Sequence, residues 1–157
     1  CYSFIKKYKL DVSIARIFNA YGPKMQPNDG RVISNFVGNV LKKKPIIING
    51  DGLQTRSFCY VDDIVDGLLK LMKSDYSIPI NFGNPEEEYS IVEIAKLIIK
   101  ILKFNVNIEF TSPIVDDPIR RRPNILLANK SLGWYPKYSI IKGLNKTIEN
   151  FKTILNI

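Results

Sequence analysis

Short apolar runs of strand length alternate along this chain with longer stretches whose apolar residues return every three or four positions, and few architectures accept that alternation. Val12 to Phe18 is nearly continuous apolar sequence with one arginine, and Ile78 to Phe82 is a second such run. Runs like these suit strands covered on both faces, as in a parallel sheet. Between them, a helix is expected from about Arg31 to Lys43, stopped by Pro45, with a short strand from Ile46 to Ile48 entering the Gly50-Asp51-Gly52 turn. Arg56 to Tyr60 is again strand-like, and Asp62 and Asp63 open a helix whose Ile64, Val65, Leu68, Leu69 and Met72 share one face.

Ser90 and Glu93 have capping-box spacing before a helix carrying Ile94, Ile98, Ile101 and Leu102 on one side. Phe104, Val106, Ile108 and Phe110 alternate with polar residues, which describes a half-exposed strand near an edge. Ser112 to Asn124 is a Pro- and Arg-rich loop, and Ile141, Leu144, Ile148, Phe151 and Leu155 define a last amphipathic helix. The fold class is therefore α/β. Cys1 to Tyr8 has the character of a helix tail without its first turn.

The chain of 157 residues carries a net charge of +8, no histidine and two cysteines, Cys1 and Cys59. Without histidine, Ser-His-Asp and Cys-His catalysis are excluded within the chain, and no metal site is expected. The basic balance alone would suit nucleic acid, but the lysines are scattered along helices with no aromatic-basic stacking pattern, so no nucleic-acid partner is expected. No apolar run approaches the roughly 20 residues of a bilayer span, so no membrane contact within this chain is expected. Two unpatterned cysteines favour a reducing compartment, which points to the cytoplasm, or to a secretory lumen if an anchor precedes the chain.

Four loops stand at strand ends or helix starts, where open α/β sheets gather ligands. They are Arg16 to Pro23, Asn28 to Phe36, Gly50 to Phe58 and Asp116 to Pro123, and each brings an arginine or an amide to a turn. Guanidinium forks match diphosphate oxygens, and a helix starting near Arg31 aims free N–H groups at an anion. Taken singly these residues are ordinary: Arg31 a first-turn surface residue, Arg56 the partner of a carboxylate such as Asp62, and Arg120 to Arg122 a solvated loop.

Taken in order, the segments resemble the nucleotide-sugar branch of the extended short-chain dehydrogenase/reductase family. Phe18-Asn19-x-x-Gly22-Pro23, Gly50-x-Gly52-x-Gln54-x-Arg56-x-Phe58-x-Tyr60-Val61-x-Asp63, Asn81-x-Gly83 and Leu132-Gly133-Trp134-x-Pro136 resemble signatures shared by 4-epimerases, 4,6-dehydratases and decarboxylases. Asp29-Gly30-Arg31-Val32-x-Ser34-Asn35-Phe36, Gly83-Asn84-Pro85-Glu86-Glu87 and Asp116-Asp117-Pro118-x-x-Arg121-x-Pro123 resemble the UDP-glucuronate decarboxylases more narrowly.

The resemblance implies the distal part of a Rossmann-like parallel sheet, from residues 1–30 and 61–85, plus the small mixed substrate-binding domain, from 31–60 and 86–157. It implies NAD as cofactor, a UDP-sugar as substrate and a homodimer. By position, Asn19, Arg56 and Asn81 would hold the nucleotide diphosphate, with Phe36, Ile46 and Ile48 on the uracil side. Ala20, Gln26 and Arg31 would lie at the cofactor. Arg121 would serve the sugar end, where its charge beside a developing enolate makes it the chain's one catalytic candidate. The implied reaction is decarboxylation of UDP-glucuronate to UDP-xylose through a 4-keto intermediate.

The sequence departs from the decarboxylase pattern at Ala20, Gln26, Asn49 and Asn124, so 4-epimerase and 4,6-dehydratase chemistry stay open, as does a non-catalytic nucleotide-binding module. The family's Gly-rich loop and Tyr-x-x-x-Lys pair are not in this chain. Tyr2 and Lys6 have the spacing but stand too close to the strand at Val12, which puts the true pair about three turns upstream. The chain alone is expected to be inactive, and Val12 to Phe18 and Ile78 to Phe82 are expected to lack neighbours and expose their edges.

Overall fold

The computed structural model describes residues 2–27 and 29–157. Cys1 and Asn28, called above as parts of a helix tail and a turn, lie outside the described residues, as does the Tyr2 side chain and hence any shared face with Lys6. In chain order the elements are α1 (Tyr2–Tyr8), β1 (Ala15–Ile17), β2 (Ala20–Tyr21), α2 (Val32–Leu41), β3 (Ile46–Asn49), β4 (Thr55–Ser57), β5 (Cys59–Tyr60), α3 (Val61–Met72), β6 (Ile80–Phe82), β7 (Glu88–Ser90), α4 (Ile91–Leu102), β8 (Ile108–Thr111), β9 (Arg120–Arg121), α5 (Leu126–Leu132) and α6 (Ile140–Leu155). The strands pair in parallel as β1 with β6, β2 with β5, β3 with β8 and β4 with β9, while β7 runs antiparallel on the other side of β4. This is the expected mixed α/β architecture.

Two cores hold it. In the larger, α2, α4 and α6 close over β3, burying Phe36, Val37, Val40, Ile46, Ile48, Ile94, Ile98, Leu144 and Phe151. Helix α4 starts where the sequence says: the Ser90 N–H donates to Glu93 Oε2 at 2.8 Å and the Glu93 N–H to Ser90 Oγ at 3.2 Å. It ends at Lys103, which takes a left-handed φ of 55°.

In the smaller core, α3 lies on β6, with Ile64, Leu71, Ile80 and Phe82 buried together with Ala128 and Trp134. Trp134 stands edge-on to Phe82 at 5.0 Å and donates its indole N–H to the Asp63 carbonyl at 2.9 Å. Gly67 makes the approach possible, since a Cβ there would stand 2.5 Å from Phe82 Cδ1. Residues of α5 and the turn after it thus pack with 61–85, although the resemblance groups them with the sugar-binding part.

Several expectations are corrected by this arrangement. Val12–Phe18 and Ile78–Phe82 do not lack neighbours: they pair with each other through Ala15↔Ile80, Arg16↔Asn81 and Ile17↔Phe82, and in this two-stranded sheet each keeps one unpaired edge among the described residues, as expected. Both are also shorter than their apolar runs, and Ile17 and Ile78 are 48% and 59% exposed. The strand expected from Arg56 to Tyr60 is two strands in different sheets, broken at Phe58. The loop Ser112 to Asn124 contains β9, and the last helix buries Ile140 rather than Ile141 because Ile140 stands four and eight residues before the buried Leu144 and Ile148 on one helical stripe.

Candidate anion-binding hollow

The site is built around β4. Its register sets Thr55 beside Arg120 and Arg56 beside Arg121 on β9, and Thr55, Arg56 and Ser57 opposite Ser90, Tyr89 and Glu88 on β7. Because side chains alternate along a strand, these residues separate onto two faces. Thr55, Ser57, Glu88, Ser90 and Arg120 share one; Arg56, Tyr89 and Arg121 share the other.

The first face is internally neutralised. Arg120 grips Glu88 with Nε and a terminal nitrogen at 2.7 and 2.8 Å, Thr55 Oγ1 donates to the same carboxylate at 2.7 Å, and Arg122 stands 3.4 Å away. The Arg120 hydrogen bond, aided by Thr55, brings the Glu88 carboxyl down to about 2.

The second face carries two guanidinium groups side by side. Like charges directly opposite on neighbouring strands repel, so such a pair calls for an anion. Arg56 is buried at 7% exposure and donates to the Thr55 and Pro118 carbonyls at 2.8 and 2.7 Å and to Asp117 Oδ1 at 2.5 Å. Its carboxylate partner is therefore Asp117, from a loop sixty-one residues on, and not the Asp62 considered from sequence.

Arg56 and Arg121 open into a hollow of about 210 Å³ whose other walls include Asn19, Ala20, Tyr21, Arg31, Ile33 and Phe58. Asn19 adopts a φ of 37°, a region asparagine tolerates, at the point where the chain passes from β1 to β2. Its carbonyl accepts from the Cys59 N–H at 3.2 Å and its amide donates to the Ser57 carbonyl at 3.0 Å, tying the crossing to β4 and β5. Arg31 caps α2 and stays 60% exposed at its side chain. Its Nε donates to Asp29 at 2.8 Å, and Ser34 Oγ also donates to Asp29. Partial burial works against ionisation of Asp29, but the hydrogen bonds from Ser34 and Arg31 prevail and hold its carboxyl below the usual range.

Five of the residues singled out from sequence meet here: Asn19, Ala20, Arg31, Arg56 and Arg121. The others do not. Gln26 is exposed and outside the hollow. Phe36, Ile46 and Ile48, expected on the uracil side, are 4%, 0% and 1% exposed and belong to the larger core. Asn81 donates to the Asn124 carbonyl at 3.0 Å and so braces the chain leaving β9.

Tyr21, Phe58 and Asp117 stand in the loops singled out from sequence but were given no role there. Phe58 stands two residues after Arg56, a period-2 signal that was available; the Asp117 pairing has no local signal. Tyr21 is no stand-in for a catalytic base, because burial, reinforced by Glu87, drives its phenol far above the ordinary range, and its hydroxyl donates to the Ile140 carbonyl at 3.3 Å. Among the described residues no group of three or more His, Cys, Asp or Glu is placed to hold a metal ion, and no helix is long and apolar enough to cross a membrane.

Residues 1–83 match the NAD dependent epimerase/dehydratase family. The chain is 47% identical over 152 residues to UDP-glucuronic acid decarboxylase 1 of Xenopus tropicalis, covering 97% of this chain and 36% of that protein. It is also 47% identical over 143 residues to UDP-glucuronic acid decarboxylase 2 of Arabidopsis thaliana, covering 91% of this chain and 32% of that protein. It thus spans about a third of the length of these curated relatives. Among solved structures, UDP-glucose 4-epimerase of Thermotoga maritima with UDP-glucose superposes with a TM-score of 0.92 at 28% identity, over 98% of this chain and 50% of that one. UDP-glucuronic acid 4-epimerase of Bacillus cereus, in complex with UDP-glucuronic acid and NAD, gives 0.90 at 28% identity over 98% and 49%. With its parallel-strand α/β fold and the signatures at Phe18–Pro23 and Gly50–Asp63, the chain belongs to the NAD-dependent epimerase/dehydratase family.

Proposed function

We propose that this chain forms the nucleotide-sugar side of a UDP-glucuronate decarboxylase that uses NAD. The observation that carries the reading is the side-by-side placement of Arg56 and Arg121 on one face of β4 and β9, opening on a hollow shared with Asn19 and Arg31. Of these adjacent guanidinium forks, Arg56 suits the diphosphate of a sugar nucleotide and Arg121 the anionic end of its sugar. The hollow of about 210 Å³ is below the roughly 300–1,000 Å³ of whole small-molecule pockets, so it takes a diphosphate and leaves the sugar to be enclosed from the open side.

In this reading Asn19 and Arg56 hold the diphosphate, and Arg121, one strand over, faces the sugar. Phe36, Ile46 and Ile48 shape the uracil side from beneath as core residues, and Asn81 acts through its hold on Asn124. Residues 1–30 and 61–85, with 125–134 packed on them, form the cofactor side; the rest is the sugar side. NAD fits the small Ala20 side chain and the exposed Arg31 at the start of α2, where N–H groups and the helix dipole favour an anion. Bound there, NAD supplies acceptance and return of a hydride.

The substrate's C4 would be oxidised to a ketone, the resulting β-keto acid would lose carbon dioxide to leave an enolate that takes a proton at C5, and reduction of the ketone at C4 would give UDP-xylose. The Arg121 charge beside the developing enolate lowers that step's barrier. The base on the C4 hydroxyl and the Gly-rich loop come from outside these residues, so the chain alone turns nothing over. A homodimer belongs to the same reading, checked by light scattering on the complete enzyme.

The decisive assay joins this chain to a Gly-rich loop and a Tyr-x-x-x-Lys pair in one polypeptide and supplies UDP-glucuronate with NAD. Carbon dioxide and UDP-xylose are expected. Turnover of UDP-glucose or dTDP-glucose, with UDP-glucuronate untouched, would move the assignment to a 4-epimerase or 4,6-dehydratase.

A further inference from the structure

We propose that Asp117 is a positioning residue that masks Arg56, and that the diphosphate of a bound sugar nucleotide displaces it and frees the segment 112–118. The proposal rests on the nucleotide-sugar reading and adds to it how the site is kept before the ligand arrives.

A buried guanidinium without a counter-charge is costly, and Arg56 has Arg121 as its strand neighbour. The chain meets that need with Asp117, whose Oδ1 accepts from Arg56 at 2.5 Å, while the Pro118 carbonyl accepts at 2.7 Å. The two partners differ in how firmly they are held. The Arg56 side chain is 8% exposed and fixed in β4, whereas the Asp117 side chain is 32% exposed and lies in a run, 111–122, in which every residue is exposed.

That run is anchored at its ends. The Gly50 N–H donates to the Thr111 carbonyl at 3.0 Å and the Thr55 N–H to the Ile119 carbonyl at 2.8 Å. Between the anchors Ile114 and Val115 are 58% and 85% exposed, and a hollow of about 590 Å³ lies along Asn49, Gln54, Thr111, Ile114 and Asp117. Asp116 adopts a φ of 61°, a left-handed conformation that a non-glycine residue takes at a cost. The segment therefore buries little apolar surface that would resist its leaving; Pro113 lies beside Gly50, and among the described residues its ion pair to the body of the protein is the Arg56 contact. A diphosphate entering from the Asn19 side brings more negative charge than one carboxylate and satisfies Arg56 in the place of Asp117. Asp117 beside it is then a like charge and moves away.

Two measurements test this, with UDP as the probe. In hydrogen exchange of the unmodified protein, UDP should slow the amides of 19–22 and 31–34 and speed those of 112–118. In calorimetry, Asp117→Asn keeps an acceptor for Arg56 but removes the competing charge, so UDP should bind about 3- to 10-fold tighter. A merely structural role for Asp117 gives the opposite sign, with affinity lost. UDP that protects 19–22 while 112–118 is unchanged, or an Asp117→Asn protein that binds UDP no better than the parent, overturns the masking role and leaves the nucleotide site standing. UDP that protects neither region overturns the nucleotide reading and the mask with it.

Discussion

Replacing Arg121 with alanine separates a residue kept for the fold from one kept for a ligand. Arg121 lies beside Arg56 on neighbouring parallel strands, and the strand spacing of about 4.8 Å sets the scale of their repulsion. Two unit charges at that distance interact by roughly 3 kcal/mol at an effective dielectric of about 20. Asp117 offsets much of this at Arg56, and Arg121 is open to water, so the residual repulsion is that of a screened surface pair, about 0.2–1 kcal/mol. Arg121→Ala should therefore leave the ligand-free protein as stable as the parent, or raise its melting temperature by up to about 3 °C. Affinity should move the other way. A charge-assisted hydrogen-bonded contact contributes about 1.5–3 kcal/mol, so UDP-glucuronate should bind roughly 10- to 150-fold more weakly. Calorimetry with UDP-glucuronate and a thermal melt without it read the two effects. Affinity within twofold of the parent, or a ligand-free melting point several degrees lower, would show that Arg121 supports the sheet and would refute its assignment to the ligand.

Three further outcomes follow from the packing. Ser90→Ala removes the acceptor for the Glu93 N–H at the start of α4 and should cost about 1 kcal/mol, or some 2–4 °C in a melt; an unchanged melting point would remove the cap from the account. Gly67→Ala gains about 1 kcal/mol of helix propensity but places a Cβ 2.5 Å from Phe82 Cδ1 and 3.0 Å from Trp134 Nε1, both fully buried. Overpacking against two fully buried rings costs about 3 kcal/mol, which less the propensity gain should lower melting by roughly 4–8 °C, and a stabilised variant would contradict the packing of α3 on β6. Glu88 ionises at about 2 in the folded chain against an ordinary 4.5, so its contribution is complete above pH 4.5 and is lost as pH falls toward 2. In an acid titration followed by circular dichroism, Glu88→Gln should flatten that window, and a parallel curve would show that the Arg120 pairing adds nothing to stability.

Local signals were legible wherever one residue's neighbours in sequence are also its neighbours in space. The Ser90–Glu93 box, the Gly50–Gly52 turn with φ near 72° at both glycines, and the buried stripe of α4 all satisfy that condition. Helix α5 does not. It has seven residues, and Leu126 and Leu127 are exposed while Ala128 is buried, so it shows no amphipathic stripe and is held by Trp134 and α3 instead. Strand β9 is two exposed arginines without strand propensity, placed only by pairing with β4. Phe36, Ile46 and Ile48 are buried in the larger core, a placement that a resemblance carried over position by position does not reveal.

The candidate site shows why both kinds of information are needed at once. Alternation within Thr55-Arg56-Ser57 assigns Arg56 to one face and its neighbours to the other, and that much is sequence. Which face receives a carboxylate is not, because Glu88 arrives from β7 and Asp117 from a loop far along the chain. Glu88 is gripped by Arg120 and Thr55 at once and closes its face; Asp117 is a third exposed and reaches Arg56 from an unpacked segment. The charged residues of the two faces are alike, and only the firmness of their counter-ions differs. An anion entering from solvent would compete with the looser one, which is why the proposed nucleotide site is assigned to the Arg56 face and not to the Arg120 face.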